Sequence, residues 1–213
     1  MGMKMKNTRR KVLIVDDDPV NRLLLQKILA KKYHLSLAAN GQIAVDIAAE
    51  VNPDIILMDV MMPEMDGFEA CRRLKSNLAT AKIPIIFITA LSEAGNESRG
   101  FDLGCVDYIT KPISPPIVLT RIATHIDLYD QHKALEEKVR QRTIELEHSQ
   151  KSAIDMLGVA GHYSDADTGV HIWRMAEYSS ALARRAGWRV ERAQELKLAA
   201  KMHDMGKIGI PDT

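Results

Sequence analysis

Two cysteines are all the sequence holds, Cys71 and Cys105, and they fall in different predicted elements with no metal-type spacing. That excludes a disulfide framework and a cysteine-rich zinc module, and it fits free thiols in the cytoplasm. Nor does one sign of charge prevail. Lys and Arg number 29 against 28 Asp and Glu, a formal net charge of +1, so no global field gathers nucleic acid or an acidic surface. No helix-turn-helix with basic recognition residues is evident either, and DNA binding is disfavoured. Long apolar runs are also missing. The basic start (Lys4, Lys6, Arg9, Arg10, Lys11) imitates the opening of a signal peptide but leads into Val12-Leu13-Ile14-Val15 and then Asp16, Asp17 and Asp18. That is far short of a signal core or a membrane-spanning helix. The 46% hydrophobic and 27% charged residues are those of an ordinary soluble globular protein. A length of 213 residues accommodates one domain and part of another.

What is present is a regular alternation. Val12–Val15 reads as a strand ending in acids, and Pro19 suits the first turn of a helix. That helix carries Leu23, Leu24, Lys27, Ile28 and Lys31 at helical spacing. His34–Ala39 reads as a second strand, and Asn40-Gly41 opens a helix through Ala44, Ile47 and Ala48. Asp54–Asp59 is the third strand, followed at once by the Pro63 and Gly67 loop. A helix over Asp66–Leu78 places Phe68, Cys71 and Leu74 on one side. Ile83–Thr89 is the fourth strand, a helix to about Leu103 stops at Gly104, and Val106–Thr110 is the fifth strand, with Lys111-Pro112 at its end. Strictly alternating strands and helices predict an α/β, doubly wound parallel sheet.

Ligands of such sheets bind beyond the carboxyl ends of the strands. Asp16 and Asp17, Asp59, Thr89 and Lys111 all stand there. Crowded carboxylates repel one another, so the site is comfortable only with a cation, and a hard, oxygen-seeking ion such as Mg²⁺ suits it. Lys111 can pair with Asp59 or nearby anionic oxygens, and Thr89 can donate a hydroxyl hydrogen bond. Asp59 could then attack phosphorus while metal and lysine neutralise the transferred group.

On these residues, positions 11 to about 125 resemble the receiver domain of two-component systems, phosphorylated on aspartate by a partner sensor histidine kinase. The resemblance implies a flavodoxin-like five-stranded sheet of order 2-1-3-4-5, with Asp59 as phosphoacceptor and catalytic roles for Thr89 and Lys111. It also implies Mg²⁺ held by Asp16, Asp17, Asp59 and the backbone carbonyl of Met61, and a cis Lys111-Pro112 bond. Tyr108 matches the aromatic that, with Thr89, switches on phosphorylation. An ordinary half-buried strand tyrosine is the other reading of Tyr108, and both stay open.

Proline and glycine then vanish between Pro116 and Gly158. Leu128, Leu135, Val139, Leu146, Ala153 and Met156 fall on a seam of 3-4 spacing, interrupted by His132, Arg142 and Ser149. The pattern predicts a linker helix over 126–155 forming an imperfect parallel coiled coil, hence a homodimer. A solvated single helix with i,i+4 charge pairs is the alternative. His125, His132 and His148 read as surface or seam residues.

From 156 onward the chain is predicted all-helical. One helix carries His171, Met175, Tyr178 and Leu182 on one face and ends near Gly187, and another runs from about Val190 to Met205. His203-Asp204, with His171 from a neighbouring helix, could ligate one transition metal. The stretch His203-Asp204-Met-Gly206-Lys207-Ile-Gly-Ile-Pro211-Asp212, with Asp167-Thr-Gly-Val-His171 upstream, resembles the HD-GYP branch of HD-domain phosphohydrolases. That branch hydrolyses cyclic di-GMP at a centre of two or three metals, with iron or manganese expected. Carried over, His171, His203 and Asp204 would be ligands, Asp167 an additional acidic one, and Lys207 a contact to a substrate phosphate. The downstream histidines, the remaining acid and the Gly-Tyr-Pro segment do not occur before Thr213. The partial site is therefore expected to be inactive by itself and to leave an apolar helix face unburied. The expected organisation is a basic tail at 1–10, a receiver at 11–125, the linker helix at 126–155 and the first part of an HD domain at 156–213. A short receiver and coiled-coil adaptor without enzymatic output is the alternative.

Overall fold

Three strands end where an apolar run meets a polar side chain: Val12–Val15 at Asp16, Ile55–Met58 at Asp59 and Ile85–Ile88 at Thr89. The computed structural model describes residues 9–90, 99–161 and 170–203. Its strands are β1 Lys11–Val15, β2 His34–Ala38, β3 Ile55–Asp59, β4 Ile85–Ala90 and β5 Asp107–Lys111. All pair in parallel in the order β2-β1-β3-β4-β5. The helices are α1 Pro19–Leu29, α2 Gly41–Val51, α3 Gly67–Ser76, α4 Pro115–Gly161, α5 Val170–Arg185 and α6 Val190–Ala200. The chain divides into two compact units, Met1–Ala134 and Leu135–Thr213, and α4 contributes residues to both.

In the first unit successive strand residues point to opposite faces, and both faces are apolar because both are covered. Leu13, Val15, Ile56, Met58, Ile85 and Phe87 join Ala44, Ala48, Phe68, Cys71 and Leu74 of α2 and α3. Val12, Ile14, Ile55, Leu57, Ile86 and Ile88 join Leu25 and Leu29 of α1 and Val118, Ile122 and Ile126 of α4. Three helices start from side-chain caps that satisfy orphan N–H groups. Asp18 accepts from Val20 N at 2.8 Å, Asn40 from Ile43 N at 2.9 Å and Asp66 from Glu69 N at 2.7 Å.

Several boundaries and faces differ from expectation. On α1 the buried pair is Leu25 and Leu29, while Leu23 and Leu24 are exposed. Three consecutive leucines leave the phase of the stripe undecided, and contact with the sheet selects the third. The helix expected over Asp66–Leu78 ends at Ser76, and Leu78 is exposed. β4 begins at Ile85 because Ile83 N closes a turn onto Thr80 O at 3.0 Å and Pro84 has no N–H. The helix expected to reach Met205 ends at Ala200, where the N–H groups of Lys201 and Met202 bond three residues back, tightening the last turn. On α5 the buried residues are Ile172, Ala176, Ser180 and Ala183, whereas Tyr178 and Leu182 face outward. Along α4 the last buried residue of the first unit is Ile126, and every residue from 131 to 151 is exposed.

Candidate functional site

The acids at the strand ends converge. Asp16, directly after β1, is fully buried, and Asp59, the last residue of β3, is 5% exposed. Asp17 is exposed, yet one carboxylate oxygen from each of Asp16, Asp17 and Asp59 lies within 4.8 Å of the others. Lys111, closing β5, donates from Nζ to Asp59 Oδ2 at 2.7 Å and to Asp16 Oδ2 at 3.2 Å. The other oxygen of Asp16 accepts from Asp18 N at 2.9 Å and Asn21 Nδ2 at 3.2 Å, which fixes its carboxylate plane. Arg22 holds the loop from behind, donating to the main-chain oxygens of Asp16 and Asp17. Sheet register does the rest. Asp59 pairs with Ile88 and Ala90 with Lys111, so Thr89 is delivered to the same rim, 8% exposed, its hydroxyl donating to Ala90 O at 3.3 Å. The Lys111-Pro112 bond is cis.

Burial pushes the Asp59 carboxyl above its usual range. Lys111 pulls it back and Asp16 adds to the push, and the balance stays upward. Burial works against the Lys111 ammonium too, but its hydrogen bond to Asp59 and the charges of Asp59 and Asp16 outweigh that and hold it above the ordinary lysine range. Two sequestered carboxylates and a third beside them thus face one ammonium. The donors are all hard oxygens, which fits a magnesium ion.

The loop after β3 is held close. A methyl at Gly67 would sit 2.2 Å from Asp59 O, and Gly67 N donates to Val60 O at 2.9 Å. Only a residue without Cβ allows α3 to begin so near the phosphoacceptor candidate. Met61, in this loop, has an exposed side chain.

Tyr108 packs among aromatic rings. It is half-buried on β5, its ring 5.6 Å from Phe87 and 5.2 Å from Phe101 by centroids, and its hydroxyl overlies Gly100, where a Cβ would lie 1.7 Å away. In the second unit the rings of His171 and His203 come within 6.2 Å, centroid to centroid. Asp167, Asp204 and Lys207 lie outside the described residues. Two groupings escaped the sequence reading. His125, expected at the surface, is half-buried with Nε2 2.9 Å from Asp107 Oδ2, where Arg121 also donates at 2.7 Å. Lys201 is buried against Asp155 and Trp173. Neither follows from spacing, since each joins residues far apart in the chain.

Residues 12–123 match the model of the response regulator receiver domain. The chain belongs to that family. It is 36% identical over 216 residues to a probable cyclic di-GMP phosphodiesterase of Vibrio cholerae, a match spanning 94% of this chain and 49% of that protein. It is 28% identical over 212 residues to the cyclic di-GMP phosphodiesterase response regulator RpfG of Xanthomonas campestris pv. campestris, spanning 95% of this chain and 56% of RpfG. The chain therefore spans about half the length of these relatives. Among solved structures it resembles the receiver domain of the Pseudomonas aeruginosa sensor histidine kinase PA1611, which has a magnesium ion in its active-site cleft. The TM-score is 0.53 at 30% identity, covering 56% of this chain and 99% of that one. Among the described residues no helix is long and apolar enough to cross a membrane.

Proposed function

We propose that the chain is a phosphorelay response regulator that accepts a phosphoryl group on Asp59 from the phosphohistidine of a sensor histidine kinase. The observation that carries this reading is the Lys111 ammonium 2.7 Å from a buried Asp59 carboxylate with Asp16 and Asp17 alongside. An oxygen of Asp59 attacks the phosphorus, and the phosphorus–nitrogen bond breaks with its electron pair leaving on the imidazole. Lys111 neutralises charge on the transferred group, and the Thr89 hydroxyl donates to one of its oxygens. Magnesium held by Asp16, Asp17, Asp59 and the Met61 carbonyl would supply further charge neutralisation. Thr89 and Tyr108 form the switch that senses the product. Incubation with acetyl phosphate and Mg²⁺ should add one phosphoryl group, and Asp59→Asn should take none. Label retained by that variant refutes the assignment.

The signal passes through α4, paired as a parallel coiled coil with a second copy in the cytoplasm, to a cyclic di-GMP phosphodiesterase-type output of HD-GYP character. Similarity over nearly the whole chain to two proteins named for that activity supports this output, as does the proximity of His171 and His203. In the complete output His171, His203 and Asp204 would hold iron or manganese, with Asp167 as a further acid and Lys207 on a substrate phosphate. DNA plays no part. Sedimentation with and without acetyl phosphate tests the pairing, and a monomer at all concentrations excludes it.

A further inference from the structure

The second unit buries one charge that its fold does not obviously need. Lys201 is 3% exposed, and among the described residues no other lysine or arginine is buried. An ammonium leaves water at high cost unless it is paired and solvated by protein groups. Here Nζ donates to Asp155 Oδ1 on α4 and lies 3.8 Å from the centroid of the Trp173 ring on α5, an ion pair and a cation–π contact together. Gly158, further along α4, receives the Lys201 main chain: a Cβ there would lie 3.0 Å from Lys201 O. One side chain therefore ties the close of α6 to both neighbouring helices.

The tie is aimed at a particular place. Two residues beyond Lys201 stands His203, and two residues before Trp173 stands His171, the two rings 6.2 Å apart by centroids. His203 Nδ1 lies 2.9 Å from Ala200 O. A carbonyl only accepts, so Nδ1 donates and the neutral ring carries its lone pair on Nε2. A buried methionine would fill a similar volume but could not make the directional bond to Asp155.

We propose that Lys201 is a positioning residue whose ammonium, clamped between Asp155 and Trp173, fixes His203 opposite His171. The inference rests on the reading that these histidines serve one metal centre, and its test separates the two. The full chain, labelled at histidine, is observed by NMR for the cross-relaxation peak between the His171 and His203 rings, and Zn²⁺ affinity is measured by calorimetry. Lys201→Met should keep the helical circular dichroism, lose the inter-ring peak and weaken Zn²⁺ binding about tenfold, the scale of lost outer-shell support. Lys201→Arg, which keeps charge and ring contact, should restore the peak and bring affinity to within about twofold. An unchanged peak in Lys201→Met, or an arginine variant no better than methionine, overturns the proposal. Should Lys201→Met fail to fold, Asp155→Asn decides by the same peak, which should weaken and whose persistence at full intensity refutes the clamp. If His203→Ala leaves Zn²⁺ affinity intact, the metal reading falls, while the inter-ring peak still judges the positioning.

Discussion

Replacing Lys111 with methionine isolates the electrostatics on which the receiver site depends. Methionine keeps most of the side-chain volume and removes the ammonium that lies 2.7 Å from Asp59 and 3.2 Å from Asp16. At an effective dielectric of about 20, each contact is worth roughly 5–6 kcal/mol before desolvation is subtracted. Removing one partner of a buried pair costs about 3–5 kcal/mol net. The Lys111 side chain is 28% exposed, and water screens part of the interaction, so about 2–3 kcal/mol is expected at neutral pH without metal. The sign with pH follows from Asp59, whose folded carboxyl already sits above the usual carboxylate range because it is buried. A carboxyl raised on folding favours the native state at low pH, and that advantage is lost as pH rises through the folded value. Without Lys111 the carboxyl rises further, so the gap between variant and wild type should narrow steadily as pH falls from neutrality towards about 4. Magnesium should close it too, because a site stripped of its own cation binds the divalent ion more tightly. Saturation at a hundredfold over Kd gives about 2.7 kcal/mol. Both tryptophans, Trp173 and Trp188, lie in the second unit, so their fluorescence reports on the wrong part of the chain. Hydrogen exchange of the buried β3 amides is the suitable probe. A destabilisation independent of pH and untouched by Mg²⁺ would refute the reasoning.

Two further substitutions test neighbouring features. Gly67→Ala should cost about 2–4 kcal/mol, because its methyl would meet Asp59 O at 2.2 Å, and it should slow phosphorylation by acetyl phosphate as β3 and its loop are forced apart; wild-type stability and rate would contradict that. Burial pushes the Cys71 thiol up to about 11, so at pH 8 it should resist a thiol reagent in the native protein and react only after denaturation, whereas rapid native labelling that Cys71→Ser abolishes would show the site to be open.

The sheet was legible because strands covered on both faces need no alternation. The three central strands are short apolar runs, and each stops at a polar residue, Asp16, Asp59 or Thr89, that lines the site. Asp16, Asp17, Asp59, Thr89 and Lys111 could be placed at one rim from that rule and from parallel connection alone. The limits of sequence reading were set by contacts across long separations. Nothing in the local pattern chooses Leu25 over Leu24 or turns Tyr178 outward on α5, and nothing announces that Asp107 will hold both Arg121 and His125. Gly67 was legible as a turn, but its necessity became visible only with Asp59 O beside it. The histidine-aspartate stretch at the end of the chain was legible as a motif and no more, since Asp167, Asp204 and Lys207 lie outside the described residues.

The bare stretch of α4, residues 131–151, carries an energetic consequence. Its large apolar side chains stay more than half exposed, Leu135 at 60% and Ile144 at 52%, so it gains little from burial. Its charge pairs, Arg140 with Glu137 and Arg142 with Glu145, stand in water, which screens them, and add little. In a lone molecule its order is borrowed from whatever anchors its two ends. Trypsin should therefore find Lys133, Lys138, Arg140 and Arg142 long before either folded unit yields, and the two fragments should survive as separately melting bodies.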